Sequence, residues 1–133
     1  HKALEIAKKN GRDLNNIEYL EGDMLKPFIE KSVHLDVLLC NPPYIEDIST
    51  IDKKTWEQEP HIALLAKPCT YFYEQILTNY KKVMNIGFFM GFEIGEDMEE
   101  AMTSLIKKYC PERTYLFKKD IYDKIRFVFI FDK

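Results

Sequence analysis

The sequence predicts an α/β protein whose sheet is mostly parallel and ends in an antiparallel hairpin. Short apolar segments alternate with amphipathic helical segments along the chain, the pattern of parallel strands joined by helices. Near the end, residues 114–117 and 126–131 have strand character, and the linker between them is too short for a crossover helix. The 133 residues, 46% hydrophobic and 31% charged, suit one globular domain.

Helical periodicity predicts three amphipathic helices. Residues 2–10 place apolar side chains on one face and lysines in the last turn, with Gly11 as the C-cap. Residues 71–84 repeat apolar side chains at i, i+3, i+4 and i+7, and residues 97–108 do the same. Each helix therefore has one face suited to packing on a sheet.

The strand predictions follow from short apolar or alternating runs. Residues 17–20 alternate and predict a strand that ends before Asp23. Residues 37–40 are apolar throughout, as in a strand buried on both faces, and residues 88–94 predict the next strand after Gly87. The last strand, residues 126–131, is also expected to be covered on both faces, because it is aromatic and apolar.

The central strand within residues 35–44 is expected to stop at Asn41-Pro42-Pro43-Tyr44. Neither proline can donate to a β-ladder, and each disfavours the helical region for the residue before it. In open α/β sheets, ligands bind at the carboxyl ends of the strands. There the Asn41 amide and the Tyr44 ring would suit a planar, uncharged NH₂ group. The alternative is a stiff turn with no further role.

Two other segments supply candidate site residues. Asp23 would lie at the end of a strand, where its carboxylate accepts a hydrogen bond from an exocyclic amine such as that of adenine; the alternative is a solvated turn residue. Residues 45–70 exceed the usual loop length, which predicts a lid or substrate loop with a helix near residues 50–56. Residues 63–66 can anchor this loop, and Glu59 within it is either a site residue or a surface charge.

Composition narrows the functional classes. The net charge of −3 argues against a surface that follows nucleic-acid phosphates. The three cysteines are odd in number and lack a CxxC pair, which predicts a reduced, intracellular protein. The three histidines match no metal-ligand spacing, and no apolar stretch has the length of a membrane span. No metal and no membrane partner are therefore expected.

Asn41-Pro42-Pro43-Tyr44 after an apolar strand resembles the Asn/Asp-Pro-Pro-Tyr motif of methyltransferases that act on amide or exocyclic amine nitrogens. Four further motifs occur in the order found in one branch of these enzymes: Glu59-Pro60-x-x-Ala63-Leu64, Phe72-Tyr73-x-x-Ile76-Leu77, Phe92-Glu93-Ile94-Gly95, and Asp120 with Arg126-Phe127-Val128. Over nearly all its residues the chain resembles the C-terminal part of the catalytic domain of the peptide-chain-release-factor glutamine N5-methyltransferases, of HemK/PrmC type.

The resemblance implies a truncated Rossmann-like fold of the class I methyltransferases, with S-adenosylmethionine as methyl donor and a cytoplasmic location. Asp23 and Met24 match the family segment around the donor's adenine ring, where Met24 replaces what is often a larger side chain. Asn41 would also border the donor.

The resemblance also implies a peptide chain release factor as the protein substrate, with no direct contact to nucleic acid. Asn41 and the carbonyl of Pro42 would be the catalytic groups that hold the glutamine amide. Pro43 and Tyr44 would shape the slot around it, and Glu59 would bind the substrate beside them.

The glycine-rich loop of the family and its N-terminal helical domain are expected before Lys2, because the five glycines form no G-x-G cluster. Residues 1–133 are thus interpreted as one partial methyltransferase domain, inactive by itself. Two alternatives remain at this point: a DNA adenine N6-methyltransferase, since Asn-Pro-Pro-Tyr is shared with that class, and an inactive chain that only folds or binds a partner. The sequence does not indicate an oligomeric state.

Overall fold

The computed structural model describes residues 2–132. The elements in chain order are α1 (Lys2–Asn10), α2 (Lys26–Glu30), β1 (Leu35–Cys40), α3 (Lys53–Gln58), α4 (Tyr71–Asn79), β2 (Met84–Glu93), α5 (Glu99–Tyr109), β3 (Thr114–Lys119) and β4 (Ile125–Phe131). Single 3₁₀ turns at Ile48–Thr50, His61–Ala63 and Tyr80–Lys82 lie in the connections. His1 lies outside the described residues. None of the helices within residues 2–132 has the length and apolar character needed to cross a membrane.

The strands described form one sheet in the order β1-β2-β4-β3. β1 and β2 are parallel, whereas β4 is antiparallel to both of its neighbours. The α/β class and the terminal hairpin are confirmed, but the expectation of a mostly parallel sheet is wrong. β4 lies between β2 and β3, so the hairpin adds two antiparallel pairings to the one parallel pairing of this four-stranded sheet.

The core lies between one face of this sheet and the helices α4 and α5. The predicted apolar faces of both helices are confirmed, because Ile76 of α4 and Ile106 of α5 are almost fully buried. They share a cluster with strand residues that point to the same face, among them Met90, Phe92, Val128 and Ile130. Burial of these side chains supplies the main driving force for forming the sheet and its helices together.

The opposite face of the sheet is open, so the predicted burial of β1 and β4 on both faces is wrong. Leu38 is 7% exposed, but its neighbours Val37 and Leu39 are 54% and 72% exposed. In β4, buried Val128 and Ile130 alternate with half-buried phenylalanines. Because side chains alternate along a strand and α4 and α5 pack on one side, every second side chain remains partly open.

The predicted strand at residues 17–20 does not form, although α1 has the predicted bounds. The segment is held by side chains instead: the Tyr19 hydroxyl donates to the Ala7 carbonyl at 3.0 Å, and Lys31 pairs with Glu18 at 2.8 Å. Alternating apolar and polar residues indicate that one face of a segment is buried, but they do not show that a neighbouring strand is available to pair with it. The short helix α2 was not predicted.

The helix predicted at residues 71–84 ends earlier, at Asn79, and the strand predicted at residues 88–94 begins earlier, at Met84. Val83 and Met84 are buried and so continue the apolar spacing of α4, although they lead into β2. Gly87 lies inside β2 with φ +82°, where the register between β1 and β2 is irregular. A left-handed backbone there suits glycine, which has no Cβ.

Candidate active site at the carboxyl edge of the sheet

Asn41-Pro42-Pro43-Tyr44 leaves the sheet where the sequence predicted. β1 ends at Cys40, which pairs with Phe92 of the parallel strand β2, so both strands end at the same edge. Asn41 is exposed, Pro42 is buried and Tyr44 is partly buried. The amide of Asn41 is therefore presented to solvent just beyond a fixed strand end.

A small cavity of about 140 Å³ contains all the predicted substrate-binding residues. It is lined by Asn41, Pro42, Pro43, Tyr44, Ile45, Glu59, Ala63 and Leu64. The prolines lack N–H groups, so neither can donate a backbone hydrogen bond into this space. The structure thus brings Glu59 to the Asn-Pro-Pro-Tyr segment from a position later in the chain.

The connection over residues 45–70 is closed at its base, which explains the position of Glu59. The amide of Ile45 donates to the Leu64 carbonyl at 3.1 Å, and the amide of Ala66 donates to the Ile45 carbonyl at 3.0 Å. Leu64 and Ala66 are buried, so the predicted anchoring of this loop is confirmed. The predicted helix is α3, whose N-cap is Asp52 and which ends directly before Glu59.

Asn41 also borders a larger cavity of about 420 Å³ at the ends of β1, β2 and β4. The lining is apolar apart from Asn41 and Glu93 and includes Leu39, Cys40, Gly91, Phe92, Phe127 and Phe129. A Cβ added at Gly91 would approach the Leu39 side chain to 2.9 Å and the Phe129 ring to 3.1 Å. The glycine therefore maintains the depth of a cavity suited to a flat or apolar group with a polar end.

Asp23 and Met24 lie at a different cavity, of about 240 Å³, together with Lys26, Ile29, Tyr71, Gln75 and Asn79. The expectation that Asp23 ends a strand is wrong, because it lies in a turn where its carbonyl accepts from the Lys26 amide at 3.0 Å. Met24 also lines an apolar cavity of about 300 Å³ that reaches Leu39 and Cys40 of β1. Met24 is thus the link between this region and the strand that ends at Asn41.

Two polar residues outside the predicted set, Glu93 and Arg126, act on Tyr44, and a third, Asp120, holds Arg126. The Tyr44 hydroxyl lies 3.5 Å from Glu93 Oε1, and Arg126 Nη1 donates to the carbonyl of Ile94 at 3.3 Å. Arg126 Nε donates to Asp120 Oδ2, also at 3.3 Å. Burial raises the pKa of Tyr44 and the Glu93 carboxylate raises it further, while Arg126 acts in the opposite direction.

A signal for these residues was present in the sequence. Glu93 ends a strand at the edge where ligands bind, and Arg126 is a charged residue at the start of an otherwise aromatic strand. Their convergence on Tyr44 could not be inferred locally, because the contacts join three distant parts of the chain.

Comparison of the sequence with known proteins identifies relatives of this chain. The chain is 36% identical over 124 residues to the release factor glutamine methyltransferase of Staphylococcus aureus, covering 90% of this chain and 45% of that protein. The enzymes of the same name from Mycoplasma mycoides and Bacillus subtilis are 33% and 32% identical, over 92% and 94% of this chain.

Over these residues the chain is similar to release factor glutamine methyltransferases. The predicted resemblance is confirmed. The chain spans slightly less than half the length of these relatives, from 45% to 46%. No protein-family model matches the chain.

Methyltransferases of this family need a methyl donor, and the cavities of residues 2–132 fit parts of one. The apolar cavity beside Met24 and Cys40 suits a flat heterocycle, and the one beside Asn41 and Glu93 offers acceptors near an apolar wall. Within the same residues, no group of three or more histidine, cysteine, aspartate or glutamate side chains is arranged to hold a metal ion. All three cysteines are free.

Proposed function

We propose that the protein to which this chain belongs methylates the N5 nitrogen of a glutamine side chain in a peptide chain release factor. The observation that carries the proposal is the exposed Asn41 amide beside the small cavity formed with Pro42, Tyr44 and Glu59. The names of the relatives supply the class of protein substrate. The size of the cavity suits a single side-chain amide.

An amide nitrogen is a poor nucleophile, because its lone pair is delocalised into the carbonyl. The Asn41 side-chain oxygen and the Pro42 carbonyl can each accept one hydrogen of a glutamine NH₂ group. Two fixed acceptors orient the nitrogen and favour a pyramidal, amine-like geometry as the new bond forms. The chain contributes positioning and electrostatic stabilisation in this scheme, and it needs no strong base.

S-adenosylmethionine, when bound, supplies an activated methyl group on a positively charged sulfur. Asp23 and Met24 are the residues proposed to hold its adenine ring. Asn41 lines both the cavity of about 140 Å³ and the one of about 420 Å³, which supports its proposed position between donor and acceptor. The free cysteines suit the reducing cytoplasm, where release factors act.

The test is a methylation assay on the full-length protein with a tritiated donor. Label is expected in a release factor and not in duplex DNA. Label in DNA would favour an adenine N6-methyltransferase, and label in neither would mean that the chain only folds or binds a partner.

The decisive variant is Asn41→Ala in the full-length protein. Turnover should fall by about 10²- to 10³-fold, the usual cost of removing one preorganised polar group from a transition state. Donor binding by calorimetry should change little. The control is Asn85→Ala, which removes an exposed amide that donates to Asp36 at the opposite edge of the sheet. If Asn41→Ala turns over like Asn85→Ala, Asn41 is only a strand cap.

A further inference from the structure

One arginine near the end of the chain holds two groups at the candidate site by hydrogen bonds. Arg126 lies at the start of β4, and its side chain is 24% exposed. It donates to the carbonyl of Ile94 and to the carboxylate of Asp120, both at 3.3 Å. The Ile94 carbonyl that it holds directly precedes Gly95, which the Tyr44 ring contacts, and its positive charge counteracts the rise in the pKa of Tyr44.

Asp120 is itself fixed, because it closes the turn of the β3–β4 hairpin. Its Oδ1 accepts from the backbone amides of Tyr122 at 2.8 Å and Lys124 at 3.2 Å. Its own amide donates to the Lys124 carbonyl at 2.9 Å. Asp120 Oδ2 is therefore held where it can set the orientation of Arg126. A planar guanidinium with several donors suits such a multiple contact better than an ammonium group does.

Tyr44 is held on its other sides by the end of β2. A Cβ added at Gly95 would lie 3.4 Å from Tyr44 Cδ2, so the ring packs against that glycine. The Tyr44 hydroxyl faces Glu93, whose carbonyl accepts from the buried Tyr73 hydroxyl at 2.7 Å. Tyr44 directly follows the two prolines, so the place of its ring limits the path of the whole segment.

We propose that Arg126, oriented by Asp120, is a positioning residue that fixes Tyr44 and thereby holds Asn41 and Pro42 in the arrangement that accepts the substrate amide. The part of this inference that concerns substrate rests on the proposed function. The network itself does not involve the substrate, and it can be tested without turnover.

The first test compares two arginine variants in the full-length protein. Arg126→Met should lower turnover by about 10- to 100-fold, because small displacements of a positioned group are costly. The KM for the donor should stay within about twofold, since the acceptor side is disturbed. Arg126→Lys should recover part of the loss. An activity equal to that of the unsubstituted protein in Arg126→Met would overturn the inference.

The matched control is Arg113→Met. Arg113 is 29% exposed and pairs with Asp132 at 2.7 Å, at the opposite edge of the same sheet. It should reduce stability while leaving turnover per folded molecule unchanged, with the folded fraction measured by circular dichroism. Equal losses of turnover for Arg113→Met and Arg126→Met would assign the effect to general stability and overturn the inference.

A double-mutant cycle tests whether Arg126 acts through Tyr44. In the Tyr44→Phe background, Arg126→Met should cause little further loss, because the hydroxyl on which it acts is already absent. Multiplicative losses in the double variant would show that Arg126 acts by another route and would overturn the inference.

The remaining test is independent of activity. In protein labelled with ¹³Cζ-tyrosine, the Tyr44 resonance is assigned with Tyr44→Phe and titrated. The charged and titratable groups facing Tyr44 are Glu93, Arg126 and the Tyr73 hydroxyl. Removing Arg126 deletes the group that lowers the pKa of Tyr44, so this pKa should rise further in Arg126→Met and stay unchanged in Arg113→Met.

These readouts separate the two proposals. A full-length protein that methylates no release factor but shows the titration shift would refute the proposed function and leave the positioning role standing. A protein that methylates normally and shows neither the shift nor a loss of turnover in Arg126→Met would refute the positioning role alone.

Discussion

Substituting two adjacent leucines of β1 tests the one-sided packing of the sheet. Leu38 is 7% exposed and Leu39 is 72% exposed. Leu38→Ala removes about three buried carbons, worth about 2.4 kcal/mol at about 0.8 kcal/mol for each. The cavity left behind adds to this, so the free energy of unfolding should fall by about 3 kcal/mol. Leu39→Ala has only about a quarter of that surface to lose and should cost less than about 0.7 kcal/mol.

Urea denaturation of the 133-residue chain, followed by circular dichroism, measures this difference. With a slope of about 1.5 kcal/mol per molar, Leu38→Ala should lower the midpoint by about 2 M and Leu39→Ala by less than about 0.5 M. The slope itself should not change. Similar losses for the two variants would mean that both faces of β1 are packed, and the account of the open face would be refuted.

Two further predictions concern the groups behind the site. Tyr73→Phe removes the hydroxyl that donates to the Glu93 carbonyl and should cost about 1 kcal/mol of stability in a urea melt, whereas Tyr122→Phe, at an exposed position, should cost nothing measurable. Burial raises the pKa of Asp120, but hydrogen bonds from backbone amides and Arg126 outweigh it and hold that pKa below its ordinary value. The stability that this lowered pKa provides is present at neutral pH and is lost as the pH falls from about 4 through the lowered pKa. Urea midpoints measured between about pH 6 and about pH 2 should therefore fall less for Asp120→Asn than for the unsubstituted chain. Parallel midpoint curves would contradict this.

Periodicity and chain stiffness made much of the fold predictable. The helices α1 and α5 follow from apolar spacing, and the end of β1 follows from two prolines that cannot continue a ladder. The same local rules gave the positions of Asn41 and Tyr44 at a strand end. These features depend on interactions within a few residues, so the sequence contains them directly.

Features that depend on a partner elsewhere in the chain were not predictable in this way. The run at residues 37–40 is apolar throughout, yet only Leu38 among its first three residues is buried, because burial depends on which side the helices occupy. The alternation at residues 17–20 likewise gives no information on whether a neighbouring strand is available. The five-residue helix α2 is too short to show a period.

The candidate site was likewise predictable only where it depends on local features of the chain. Asn41 and Glu59 fall at one cavity because residues 45–70 fold back on the strand end, as expected of a long anchored connection. The influence of Arg126 on Tyr44 depends on the order β1-β2-β4-β3, which places the start of β4 beside the end of β2. That order is a property of the assembled sheet.

The positioning role proposed for Arg126 also has a consequence during protein synthesis. Chains leave the ribosome at about 5 to 20 residues per second, so Tyr44 emerges on the order of ten seconds before Arg126. Until the terminal hairpin docks, the Asn-Pro-Pro-Tyr segment lacks the guanidinium that orients it. A nascent chain would carry the acceptor motif without a finished pocket until Arg126 has emerged and the β3–β4 hairpin has docked.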